Sequence, residues 1–316
     1  MPWACVIHSS ERQTFKRCRR AWDFSATTRQ NYTPNSSPLV FDFPKAIREA
    51  LAVYYFPGMW NWERTIVLPL VVDGFLKSME AQKADDADYR ETGTELLHRY
   101  FDWAPSVDTF EPLCVETEFD ARVPDPLHPG EDVVSAEKLP IVYRGRIHML
   151  ALNPDHSYWI VVHRVLYDEW EDLNQLVLDD TELANCWGWG ECYFNQKISG
   201  TIYNEVREVP DQNGQYFRRI EISRSENQIR EFGARIAMEV REMVNPELAI
   251  YPNPSPANCA QCEFVTPCVQ MNEGMDIAAF LQQNFRINEP SAEVPRIGGR
   301  SWSVDRGAIP PDFGKK

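Results

Sequence analysis

Three cysteines fall within ten residues near the C-terminal end of this sequence, in Asn258-Cys-Ala-Gln-Cys-Glu-Phe-Val-Thr-Pro-Cys, a C-x2-C-x5-C run of Cys259, Cys262 and Cys268. Thiols at this spacing let one loop wrap a metal ion or cluster, and such a centre wants a fourth ligand. Cys18 is the best candidate. It recurs with Phe15 and Trp22 at helical spacing and so lies on an apolar helix face, whereas Cys5 sits in a terminal segment with little to orient it. Cys5, Cys114, Cys186 and Cys192 lack any such spacing and read as ordinary core or surface thiols. Four thiolates suit a structural zinc ion as well as an iron-sulfur cluster, and the residues alone do not choose between them. The bland alternative is a set of unrelated buried cysteines.

A second constellation is basic. Arg12, Lys16, Arg17, Arg19 and Arg20 crowd one stretch of a chain whose formal net charge is −15. Such a charge opposes non-specific attraction to polyanions, so nucleic-acid binding requires a local patch, here Arg12, Lys16, Arg19 and Arg20. A solvated helix face explains the same residues equally well. The start of the chain lacks a basic region followed by an apolar stretch, and no run of eighteen uncharged apolar residues occurs. The expectation is a cytoplasmic protein with no membrane segment, in which clustered cysteines point to metal rather than to disulfides.

The elements that must position these residues follow from periodicity. Ser9 or Ser10 caps a helix running through residues 11–24, and a polar turn over 31–38 precedes a helix over 44–55 with Ile47, Leu51 and Tyr54 on one face. Helical material broken near Pro57-Gly58 extends to about Tyr100. Alternating segments at 113–123, 141–152 and 158–166 read as strands, the last two joined as a hairpin by Asn153-Pro-Asp-His-Ser. A helix over 180–194, strands at 200–209 and 216–222, and an amphipathic helix over 225–244 follow. The fold class is α/β, a mixed sheet flanked by helices. One domain spans 1–286 with its cysteine segment near 255–272, and residues 287–316, rich in Pro, Gly and charge, form an extended or disordered tail.

In the order of these features the chain resembles the RecB-like branch of the PD-(D/E)XK nucleases, which includes CRISPR-associated exonucleases and the AddB nuclease domain. The resemblance rests on Ser9-Ser10, on Phe15-Lys-Arg-Cys18 and on Cys259, Cys262 and Cys268, and covers roughly residues 8 to 270. It implies a PD-(D/E)XK core whose N- and C-terminal segments are joined by a 4Fe-4S cluster, and it favours iron-sulfur over zinc. The catalytic motifs of that branch depart here. Its helix motif G-x-x-x-H-x-x-L aligns with Pro44-Lys-Ala-Ile-Arg48-Glu-Ala-Leu51, its G-R-I-D strand reads Gly145-Arg-Ile-His148, and its Asp/Glu-x-Lys strand end falls on Val162-His-Arg164. Arginine is no oxygen ligand and valine no ligand at all, so the usual hard-cation site is lost. Glu116, Glu118 and His148 are the residues that relocated ligands would use. His163, between Val162 and Arg164, alternates to the opposite sheet face and reads as structural.

Three functions compete on this basis. A catalytically degenerate nuclease-like protein binds nucleic acid or a protein partner in DNA processing or defence, with Arg48, Arg146 and Arg164 making the former cleft basic. An active metal-dependent exonuclease uses the relocated ligands. A protein-interaction or redox-sensing module uses the acidic surface and ignores DNA.

Overall fold

The computed structural model describes residues 4–36, 40–84, 86–167, 169–194 and 196–288. Along the chain run β1 (Cys5–His8), α1 (Ser9–Arg17), α2 (Arg19–Ser25), β2 (Tyr32–Pro34), α3 (Phe43–Tyr54), α4 (Arg64–Ala81), α5 (Ala87–Trp103), β3 (Glu111–Arg122), β4 (Ile141–Leu152) and β5 (Tyr158–Leu166). There follow α6 (Leu173–Val177), α7 (Asp180–Cys192), β6 (Ile198–Arg207), β7 (Phe217–Ser223), α8 (Glu226–Met243), α9 (Pro256–Cys259), α10 (Val265–Asn272), α11 (Ala278–Asn284) and β8 (Phe285–Ile287). The fold is α/β with a mixed sheet flanked by helices: β1 pairs parallel to β4, β4 antiparallel to β5, β5 parallel to β6, β6 antiparallel to β7, and β3 also pairs with β4. Among the described residues no helix is long and apolar enough to cross a membrane. All but the first two residues of the expected tail over 287–316 lie outside the described residues, and Ile287 closes β8.

The chain divides into two compact units, each assembled from separated stretches. Among the described residues, the first holds 4–36, 120–145 and 231–288. In it β1 runs beside the first four residues of β4, from Cys5 opposite Ile141 to His8 opposite Arg144, and β2 pairs with β8. The helix expected over 11–24 is two helices. Cys18 between them is extended (φ −161°, ψ 113°), and the first is preceded by His8, whose N–H donates to Glu11, rather than capped by Ser9 or Ser10. Behind α2 the rings of Phe24, Phe264 and Phe285 stack at successive centroid distances of 5.2 Å, with Ala21 and Leu281 around them. Burial of this kind ties residues near position 20 to residues near 280 through apolar contact alone. In α8 the stripe Phe232, Ile236, Val240 and Met243 is buried as its period requires.

The second unit holds residues 39–119 and 146–230 among those described. Asp42 caps α3 by accepting from Lys45 N, and Pro44 fits the first turn, where no intrahelical donor is needed. Buried Ile47, Leu51 and Tyr54 of α3 join Val71 and Phe75 of α4 and Leu96, Leu97 and Tyr100 of α5 in a core completed by Met149, Val161 and Ile202 of the sheet. The strand β5 is buried from Trp159 to His163, consistent with its being paired on both edges and covered on both faces.

Candidate functional site

The four cysteines singled out by spacing all belong to the first unit. Cys18 stands at the break between α1 and α2, where its Sγ accepts from Asn253 N at 3.4 Å, and it packs with Cys262 against the phenylalanine cluster. Burial raises the Cys262 thiol pKa; Arg17 opposes that rise while Cys18 and Cys259 add to it, so three of the four thiols lie within electrostatic reach of one another. The fourth, Cys268, has its Sγ 3.4 Å from a guanidinium nitrogen of Arg20, two residues beyond Cys18. Among the described residues no three His, Cys, Asp or Glu side chains are grouped closely enough to hold a metal ion as they stand. In donor chemistry the thiols fit a cluster, since they are all soft ligands around one helix break with hydrogen-bond donors already directed at two sulfurs. Of the cysteines read as ordinary, Cys186 is buried and Cys114 is half-buried, and burial pushes the Cys114 thiol up to about 11 and the Cys186 thiol up to about 12.

The N-terminal cations are largely engaged within the protein. Arg12 is fully buried, pairs with Glu239 at 2.5 Å and lies over the Phe232 ring, so its guanidinium is not available to a phosphate. Arg19 pairs with Glu242 at 2.6 Å and stacks on Phe15 and Tyr251, while Arg20 bonds Asn272 at 2.9 Å as well as Cys268. Lys16 is exposed. A patch of this make-up is mainly a set of staples from α1 and α2 to residues 239–272, because each paired guanidinium must give up its partner before it meets a polyanion.

In the second unit, α3 brings Arg48, β3 brings Glu116, β4 brings Arg146 and His148, and β5 brings His163 into one cluster, at the place of the expected cleft. Glu116 has φ +47° in mid-strand, a left-handed backbone that a non-glycine residue adopts only against strain, and its carboxylate pairs with Arg146 at 2.5 Å. Burial raises the Glu116 carboxyl, opposed by Arg146 and Arg48. His148 is driven the other way: burial, then Arg48, Arg146 and Arg164, lower its imidazole to about 3, so it is neutral at physiological pH. Its Nδ1 accepts from His163 N at 3.0 Å, a side chain taking the place of a strand partner just where the β4–β5 ladder stops at Met149 and Val161. Glu118, also on β3, is half-buried and already engaged.

The cleft lies on the other face of β5 from the one expected. Val162 packs with Leu176 and Tyr203, and Arg164 is held by Glu171 at 2.6 Å and by Asp179 and lies over the Tyr203 ring. Neither residue is brought to His148, although the charge of Arg164 is felt there. Instead His163 turns to the cleft, its ring nearly parallel to that of His148 (6.1 Å, 13°) and to that of Tyr55 on its other side (5.3 Å, 18°). Alternation along β5 holds as expected; the sequence did not reveal which face the cleft occupies.

Beneath His163 runs a buried polar network that sequence reasoning missed. Asn204 Nδ2 reaches His163 Nδ1 at 2.9 Å and donates to Tyr100 Oη at 2.8 Å, while Asn204 Oδ1 accepts from Arg219 at 3.1 Å. Arg219 pairs with Asp108 and donates to Tyr55 Oη at 3.0 Å, and Tyr55 in turn donates to Asp108 at 3.0 Å. Burial raises the Asp108 carboxyl against the pull of Arg219, and desolvation pushes the hydroxyls of Tyr55 and Tyr100 far up. The polar residues come from five separate stretches of chain, with no motif to announce them.

No family model matches the chain, and no curated protein matches it. Among solved structures it is similar to SSO0001, at 11% identity and a TM-score of 0.34, over 72% of this chain and 93% of that one.

Proposed function

We propose that this chain is a nuclease-like protein of the PD-(D/E)XK type that has lost its cutting chemistry, binds the phosphate backbone of a nucleic acid in the cleft of its second unit, and carries a 4Fe-4S cluster on Cys18, Cys259, Cys262 and Cys268 in its first. One observation carries the reading: the cleft's own carboxylate, Glu116, is already paired with Arg146 and flanked by Arg48, so no acidic cradle is left for a divalent ion. Arg48, which makes no ion pair among the described residues, suits a phosphate, which guanidinium groups bind by charge-assisted hydrogen bonds. The cluster would supply a rigid cross-link between the break after α1 and the segment over 255–272, with sulfurs already receiving bonds from Asn253 and Arg20.

The strained backbone at Glu116 favours a second reading, since a positive φ in mid-strand re-aims a carboxylate and such strain gathers at working sites. In that reading Glu116 and His148 ligate a metal for an active exonuclease. One experiment separates the two. Protein purified without oxygen is expected to contain about four irons, to shift labelled single- and double-stranded DNA at low salt with affinity that falls as salt rises, and to leave that DNA intact in Mg²⁺ or Mn²⁺. Stoichiometric zinc without iron overturns the cluster assignment. Metal-dependent degradation that disappears in a His148→Ala, Glu116→Ala double variant establishes the enzyme instead.

A further inference from the structure

Hydrogen-bond donors fix the proton positions of the two cleft histidines. A backbone N–H can only donate, so the 3.0 Å contact from His163 N makes His148 Nδ1 an acceptor and leaves the imidazole proton on Nε2. The second ring follows through a longer chain. Arg219 can only donate, so the Asn204 oxygen must be the atom that faces it, and the Asn204 amide nitrogen must face His163 and Tyr100. That nitrogen's two hydrogens are then directed at Tyr100 Oη and at His163 Nδ1, which places the His163 proton on Nε2 as well. Asp108 anchors the sequence by holding Arg219 in place. Asp108, Arg219 and Asn204 thus act as positioning residues for a ring they surround.

The His163 Nε2–H so defined is buried in a residue only 2% exposed and has no partner among the described residues. An unmet donor in that setting is costly, and a native fold retains one where a ligand or water completes it. No hydrogen bond or ion pair within the described residues engages Arg48, which stands close enough to bear electrostatically on both histidines. His148 adds its own Nε2–H, again with no protein acceptor among the described residues. The unengaged polar groups of the cleft are therefore all donors: a guanidinium and two neutral imidazole N–H groups, one ring lying against the other. The two imidazoles offer a cation no lone pair, because their Nδ1 atoms are taken and their Nε2 atoms carry protons, and the Glu116 carboxylate is paired with Arg146.

We infer that His148, His163 and Arg48 form a metal-independent oxyanion site for a phosphoryl group, with the Asp108–Arg219–Asn204 sequence locking the His163 tautomer. The inference rests on the nucleic-acid reading only for the origin of that group, which is either a terminal phosphate or an internal phosphodiester of a strand.

The test uses the full chain labelled with ¹⁵N-histidine, with His148→Gln and His163→Gln to assign the signals. Long-range ¹H–¹⁵N spectra are expected to show both rings as neutral Nε2–H tautomers. Inorganic phosphate is expected to move both Nε2 signals, and Arg48→Met, at a half-exposed position where folding is not at stake, to weaken phosphate binding by about tenfold or more. Asn204→Asp, which presents an acceptor where the amide donated, is expected to switch His163 to the Nδ1–H tautomer, and a tautomer unchanged in that folded variant overturns the lock. An Nδ1–H tautomer of either ring in the parent protein, phosphate binding indifferent to Arg48→Met, or Zn²⁺ or Mn²⁺ bound at His148 in place of phosphate each overturns the site. Oligonucleotides with 5′-phosphate and 5′-hydroxyl ends distinguish the two sources. Phosphate binding without oligonucleotide binding removes the proposed function and leaves this site standing, whereas oligonucleotide binding unaffected by Arg48→Met and His148→Gln does the reverse.

Discussion

Asp108 and Arg219 are 3% and 8% exposed, and the pair sits among aromatic rings, the guanidinium over both Trp103 and Phe110 at 5.1 Å. Deleting one member of such a pair leaves the other charged and dry, which costs about 3–5 kcal/mol. Asp108→Ala is therefore expected to lower the free energy of unfolding by that amount in urea, and a loss under about 1 kcal/mol would mean that water reaches Arg219. Parts of the site were legible residue by residue. Arg48, Arg146 and His148 could be nominated because they stand at motif positions, and Glu116 as a carboxylate on the preceding strand; the structure gathers the four. His163 was not legible because alternation assigns a residue to a face without saying what that face looks onto. Arg12 illustrates the same limit: a cation in a basic run looks exposed in one dimension, and only α8 reveals the Glu239 that buries it.

Among the elements, α4 and α5 approach each other closely because residue 93 is glycine. A Cβ built there would fall 2.1 Å from the Phe75 ring, whereas one at Gly190 of α7 meets nothing within 4 Å. Gly93→Ala is expected to destabilise by about 1–3 kcal/mol through overpacking, and Gly190→Ala to stabilise by about 0.5–1 kcal/mol through helix propensity alone, both read from urea unfolding curves. Equal effects of the two would show that Phe75 yields without cost. The elements themselves were legible where local signals bound them. β4 and β5 fall at 141–152 and 158–166 as expected, because a tight turn separates two alternating runs, and α8 falls within a residue of its amphipathic stripe. The break at Cys18 was not legible, since neither Pro nor Gly marks it and its flanking arginines are good helix formers. β1, β2 and β8 were missed for a different reason: strands of three or four residues exist because distant partners pair with them, and no periodicity fits in so short a run.

For the molecule as a whole, these buried groups set how stability responds to pH. His148 and His163 are neutral in the fold but take up protons when unfolded below about pH 6.5, so they remove stability as pH falls. Glu182 acts oppositely. Burial first, then the neighbouring Asp179, raise its carboxyl to about 7, so between its unfolded pKa and that value the fold holds a proton the unfolded chain has released. Its stability contribution is full below the unfolded pKa and is lost as pH rises towards 7. Glu182→Gln deletes this one opposing proton. Between pH 5 and 6 the variant's unfolding free energy is expected to fall with acidification more steeply than the parent's, by about 1.4 kcal/mol per pH unit. Parallel profiles from urea titrations at the two pH values would show that Glu182 is ionised in the fold.

The division of the chain into interleaved stretches also fixes an order of events on the ribosome. Residues 39–119 and 146–230 have all been synthesised once the first few residues of α8 are made, so the second unit is able to fold while the peptide is still being made. The first unit has no such opportunity. Its β1, α1 and α2 are made before the second unit, yet the phenylalanines they pack against, Phe264 and Phe285, are made after it. While the second unit is being made, Cys18 and the aromatic face of α2 are therefore exposed without their partners, and a nascent chain that stops before residue 260 presents a completed second unit tethered to an unfolded first one.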